Sequence, residues 1–167
     1  MKKFLSLTLA LAMLGTALTG CGSKTAAPET SVEPAQQTAP VQQEQSQTEK
    51  TLALINTFAT GDTNTARSLL SDGYIQHNLA YGTGADAFIG SVEYLASANV
   101  KTTVNNIRAF EDGDKVFLQT IYNFAGAGEQ VAFDIFRFDE NGKIAEHWDV
   151  METIADQSTW QNQNGKF

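Results

Sequence analysis

Cysteine occurs once in the 167 residues, at Cys21, so no disulfide can form within the chain and no zinc site can rest on several cysteines. The three prolines all fall before residue 41, at Pro28, Pro34 and Pro40. Aromatic residues are missing between Phe4 and Phe58, although the chain holds 16 of them. Positive charge is scarce: residues 49–167 carry 8 basic side chains against 16 acidic ones, with no Lys/Arg cluster. That balance argues against nucleic acid as a partner and against electrostatic docking on anionic lipid. No Gly-rich phosphate loop and no Gly-x-Ser-x-Gly occurs, so nucleotide binding and serine hydrolysis have no support. The apolar stretch from Phe4 to Leu18 is too short for a comfortable membrane span.

What is present divides the chain in three. Lys2 and Lys3 precede that apolar stretch, which ends in Leu18-Thr19-Gly20-Cys21. This segment resembles a bacterial lipoprotein signal, in which small residues precede a lipidated cysteine. The resemblance implies that residues 1–20 are a signal peptide and that Cys21 receives diacylglycerol and a further acyl chain such as palmitate. Each buried methylene contributes about 0.8 kcal/mol, so two or three chains hold a protein stably at a membrane. The expected location is the extracytoplasmic side of the cell membrane, through the lipid alone. Residues 22–48 are rich in Pro, Gln and Thr and poor in apolar bulk, which predicts a disordered tether after Cys21. The folded domain is expected over 49–167.

Ser46-x-x-Glu49 has the form of a capping box, and Leu52, Leu54, Ile55, Phe58 and Ala59 then recur at helical spacing. Gly61 stops that helix and Asp62 can cap a second one to Leu70. Tyr74 to His77 reads as a short strand, and 85–97 as a third helix with Phe88, Ile89, Val92 and Leu95 on one face. From Asn99 the period changes to two, giving strands over 100–110, 115–124, 130–138 and 143–151. Helices first and strands after imply an α+β domain whose antiparallel or mixed sheet is covered by helices on one face.

Two segments carry a family resemblance: Tyr74-Ile75-Gln76-His77-Asn78, and Phe133 to Val150 with its Asp139-Glu140-Asn141-Gly142 turn. With the order of elements, they resemble the SnoaL-like group of the nuclear transport factor 2-like superfamily. The resemblance implies a cone-shaped curved sheet around three N-terminal helices and a deep pocket. It implies cofactor-free chemistry of the polyketide-cyclase type, or a pure binding module. The ketosteroid isomerase branch of the same fold is similar too. It would put Asp134 where that branch keeps a protonated carboxyl, and His77 where it has a general base. That branch also needs a Tyr on the first helix; none occurs around Leu54, which argues against steroid isomerisation.

Strand parity sorts the candidates. Asp134 shares a face with Ala132, Phe136 and Phe138, and His147 shares one with Ala145, Asp149 and Met151. If Asp134 faces the pocket, the family pattern puts His147 and Asp149 there too. Val131, Phe133, Ile135, Trp148 and Val150 then form an apolar outer face, which predicts a homodimer through the sheet.

The catalytic candidates are His77 as base, Asp134 as acid or oxyanion donor, and His147 with Asp149 in support. Tyr74, Asn78, Tyr122, Phe136 and Met151 are the expected substrate contacts. The bland alternatives are specific: Asp134 paired with Arg108 or Arg137, His77 half-exposed at a strand end, His147–Asp149 as a rim ion pair, and both tyrosines as core. The four catalytic candidates could in principle chelate iron or zinc, but no tight ligand motif occurs and no metal is expected. The expected ligand is a small apolar compound bearing a carbonyl, bound for aldol- or isomerase-type proton transfer. The rival readings are a non-catalytic ligand- or partner-binding module of the cell envelope, and a structural role in which the outer face docks another envelope protein.

Overall fold

The structure, a computed structural model, describes residues 44–167. The signal, Cys21 and most of the tether lie outside the described residues. The elements are α1 (Gln47–Thr60), α2 (Thr63–Leu69), β1 (Leu70–Gln76), α3 (Ala85–Ser97), β2 (Thr103–Asp112), β3 (Lys115–Asn123), β4 (Gln130–Phe138) and β5 (Ile144–Thr153). The expected order holds. β1 starts at Leu70 rather than 74, directly where α2 ends. Among the described residues no helix is long and apolar enough to cross a membrane.

Local chemistry sets the helix ends. Ser46 Oγ accepts from the Glu49 N–H at 3.1 Å, and Glu49 returns a carboxylate oxygen to the Ser46 N–H at 2.8 Å. This reciprocal cap satisfies donors that the first helical turn leaves free. Gly61 ends α1 at φ 75°, and a Cβ there would lie 2.7 Å from the Ala96 Cβ. Both the left-handed backbone and the close approach of α3 therefore require glycine. Asp62 then caps α2 by accepting from the Thr65 N–H at 3.0 Å.

The sheet order is β1-β5-β4-β3-β2, with β1 parallel to β5 and every other pair antiparallel. Register shifts in β1, β2 and β4 interrupt the ladders. Such bulges bend strands and increase twist, and they curve this sheet around the helices. The concave face meets Leu54 and Ile55 of α1 and Phe88, Ile89 and Val92 of α3, all buried. Each such side chain contributes about 1.5–3 kcal/mol by leaving water.

The convex face departs from expectation at one place. Phe133 and Val150, directly paired, are 56% and 73% exposed, as parity predicts. Val131 is on the same face yet only 2% exposed. Here the C-terminal tail folds back. Gln119 Nε2 donates to the Lys166 carbonyl at 2.6 Å, and Lys166 pairs with Glu152 at 2.7 Å. Gln119, Ile121 and Val131, neighbours in the ladder, are buried with it. The tail thus covers one end of the outer face and leaves the other open.

Candidate functional site

A cavity of about 660 Å³ opens between the concave face and the helices. Asp134 and Phe136 of β4 and His147, Asp149 and Met151 of β5 all line it. The pairing explains this: Asp134 lies opposite Asp149, and Phe136 opposite His147, so all four share one face. Two carboxylates placed directly opposite each other repel, which a purely structural sheet avoids.

His147 is the hub. Its Nε2 lies 3.2 Å from Asp134 Oδ1, with His147 7% and Asp134 3% exposed. The Phe136 ring stacks on the imidazole with centroids 4.3 Å apart. On the other side, both amide atoms of Gln76 stand 3.1 Å from Nδ1. The carbonyl end of Gln76 also accepts from the Asn78 N–H at 2.9 Å, and its amide end donates to the Tyr74 hydroxyl at 3.3 Å. Gln76 can therefore serve as donor or acceptor to Nδ1, so the ring proton can sit on either nitrogen.

The carboxylates are held separately. Tyr122 donates to Asp134 Oδ2 at 3.1 Å. Asn78 Nδ2 donates to Asp149 Oδ1 at 2.7 Å. The other Asp149 oxygen has no hydrogen-bond partner among the described residues. Burial, and then the charges of Asp149 and Asp134, push the Tyr74 phenol well above its ordinary range. Burial, followed by the Asp134 charge, does the same to Tyr122. Both hydroxyls consequently stay protonated and remain donors at neutral pH.

Most expected site residues converge: Asp134, His147, Asp149, Tyr74, Tyr122, Phe136 and Met151 all line the cavity. Asn78 does not line it, but fixes Asp149 from behind. His77 is a correction. It stands on the convex side, stacked on Trp148 at 4.4 Å and bonded to Glu146 Oε2 at 3.0 Å. The physical reason is parity: Tyr74 and Gln76 point inward, so Ile75 and His77 must point outward. Tyr74 and His77, three apart on a strand, could not both reach the pocket. Asp134 also turns away from Arg108 and Arg137; the latter binds Glu146, with Nε at 2.8 Å from Oε1.

Sequence reasoning missed Gln76, whose inward parity with Tyr74 was available as a signal. It also missed Phe58, Phe88 and Phe124, which complete the cavity wall. Asp134, His147 and Asp149 each offer one ligand atom within 4.8 Å of the others, so a divalent ion would fit their chemistry.

A family model described as SnoaL-like domain matches residues 52–147, more than half of the chain. No curated protein matches. Among solved structures, an NTF2-like protein from Cytophaga hutchinsonii is similar at 16% identity and TM-score 0.57, over 66% of this chain and 94% of that one. An LEH-like epoxide hydrolase from M. tuberculosis shows 17% identity and TM-score 0.56, over 64% and 82%. IdmH from Streptomyces antibioticus, a proposed polyketide cyclase, shows 18% identity and TM-score 0.52, over 65% and 93%. At these identities the likeness concerns the fold.

Proposed function

The chain belongs to the SnoaL-like domain family, and from that membership we propose that its cavity binds a small, largely apolar carbonyl compound and moves a proton on it without a cofactor. The observation that carries this reading is the buried Asp134–His147 couple with Asp149 beside it, at the end of an otherwise apolar cavity. Asp149, through its free oxygen, takes a proton from the carbon next to the carbonyl. The C–H electron pair moves into an enolate. The Tyr74 hydroxyl, with the Asp134–His147 couple beside it, stabilises the enolate oxygen. Return of the proton to another carbon gives an isomerisation; attack of the enolate on a second carbonyl gives an aldol ring closure. Gln76 and Asn78 hold the two acid–base groups in place.

The test is α-proton exchange. The full chain is incubated with enolisable ketones in D2O and followed by NMR. Catalysed wash-out that disappears in Asp149→Asn and His147→Gln supports the mechanism. Wash-out that survives both changes sinks it. Ligand binding without any exchange would instead favour a non-catalytic capture module.

Two expectations about setting join the proposal. Acylation of Cys21 would keep the domain at the extracytoplasmic face of the membrane, on the strength of the lysines, the apolar stretch and the Leu18-Thr19-Gly20-Cys21 sequence. Cys21→Ser should then move the protein from the membrane fraction to the soluble one. A second copy of the chain would cover the open convex face. That reading is supported by the apolar row Phe110, Phe117, Ile135 and Trp148, consecutive partners across four strands.

A further inference from the structure

The walls of the cavity say more about its ligand than the acid–base group does. Five aromatic rings follow one another around it. Tyr74 meets Phe88 edge-on with centroids 6.0 Å apart, and Phe88 meets Phe58 at 4.9 Å. Phe58 meets Phe124 edge-on at 5.7 Å, and Phe124 stacks on Tyr122 at 4.9 Å. All five line the cavity. The arc ends at Tyr122, bonded to Asp134, and begins at Tyr74, whose hydroxyl lies in the field of Asp149 and Asp134.

Charge along the same wall is one-sided. Among the described residues, two carboxylates line the cavity, and His147 is the one lining group that can become positive. No Lys or Arg is among the lining residues. The cationic side chain of β4, Arg137, points to the other face and is engaged by Glu146. Acidic groups thus outnumber basic ones along this wall. An aromatic wall adds to this, because the face of a ring carries negative potential that attracts cations.

Resting on the reading of this cavity as a ligand site, we infer that its ligand is an organic cation: a largely apolar molecule carrying a protonated amine or a quaternary ammonium. The cationic group lies at the acidic end of the arc, near Tyr122 and Phe124, and the apolar remainder fills the space toward Phe58 and Phe88. A carboxylate- or phosphate-bearing ligand is disfavoured by the same two charges.

A matched pair of probes tests this on the unaltered full chain, with EDTA present to keep divalent ions off the carboxylates. Benzyltrimethylammonium and its neutral isostere neopentylbenzene differ in one atom and one charge. Binding is followed by ligand-observed NMR with competition titration. The cation should bind at least about tenfold more tightly than the isostere, the order expected for a desolvated cation–π contact. Asp149→Asn and, independently, Phe124→Leu should each narrow that ratio toward one. Equal binding of the two probes, or preference for the neutral one, overturns the cation assignment and leaves the cavity as an apolar ligand site. Binding of neither overturns the assignment together with the reading of the cavity on which it rests.

Discussion

Strands β4 and β5 present two faces, and their charges are handled in opposite ways. On the convex face, Glu146 is clamped between Arg137 and His77, and Lys166 meets Glu152. Each charge there has an opposite partner near water. On the concave face, Asp134 and Asp149 are placed opposite each other, one of them almost fully buried, with a histidine and neutral donors for company. The convex arrangement is what a fold does to stay intact and soluble. The concave one works against stability, which supports the proposed use of the cavity. The two histidines of the chain fall one on each side of this divide.

The largest expected effect strikes the concave side. His147→Gln and Asp149→Asn should each reduce catalysed α-proton exchange by about a hundredfold or more, the scale of a lost general acid or base. In the same preparations, Asp149→Asn should raise the melting temperature, because it relieves the pair with Asp134 by roughly 0.2–1 kcal/mol. A variant that loses activity and also melts earlier would blur the contrast between the faces.

Next comes the convex side. Phe133→Asp should turn a dimer into a monomer in light scattering at micromolar concentration while leaving exchange activity measurable. A wild-type protein that is already monomeric breaks this part of the comparison.

A smaller effect separates the faces by pH. The fold holds the protons of Tyr74 and Tyr122 more tightly than the unfolded chain does. Their contribution is therefore complete below the ordinary phenol value of about 10 and is lost as pH rises beyond it. Ultraviolet titration should show two of the four tyrosines ionising only as the protein unfolds.

The smallest effect is at His77. Its bond to Glu146, and then Arg137, hold that carboxyl below the usual range. The stabilisation is present above the ordinary carboxylate value and drains as pH falls through the lowered one. His77→Ala should cost only about 0.5 kcal/mol, as for exposed ion pairs, and should leave α-proton exchange unchanged. A large loss of exchange in this variant would restore His77 to the site.

Much of this was legible beforehand, and the limits have physical causes. The capping box at Ser46, the stop at Gly61 and the buried stripe of α3 are local signals, so they read directly from sequence. The inward set Asp134, His147 and Asp149 follows from a period of two along β4 and β5. His77 went astray because its role was taken from a resemblance while the parity of its own strand pointed the other way. Gln76 carries no titratable group to draw notice, although it contacts the hub histidine. The aromatic arc draws from α1, β1, α3, β3 and the turn after β3, and no spacing in a linear sequence announces such a ring.

Gln76 has a further consequence. With its oxygen and nitrogen equally distant from His147 Nδ1, the imidazole can exchange tautomers without any heavy atom changing place. On the proposed mechanism, resetting the site between turnovers is then a matter of relocating protons. On that mechanism, turnover should slow in D2O yet stay indifferent to added viscogen.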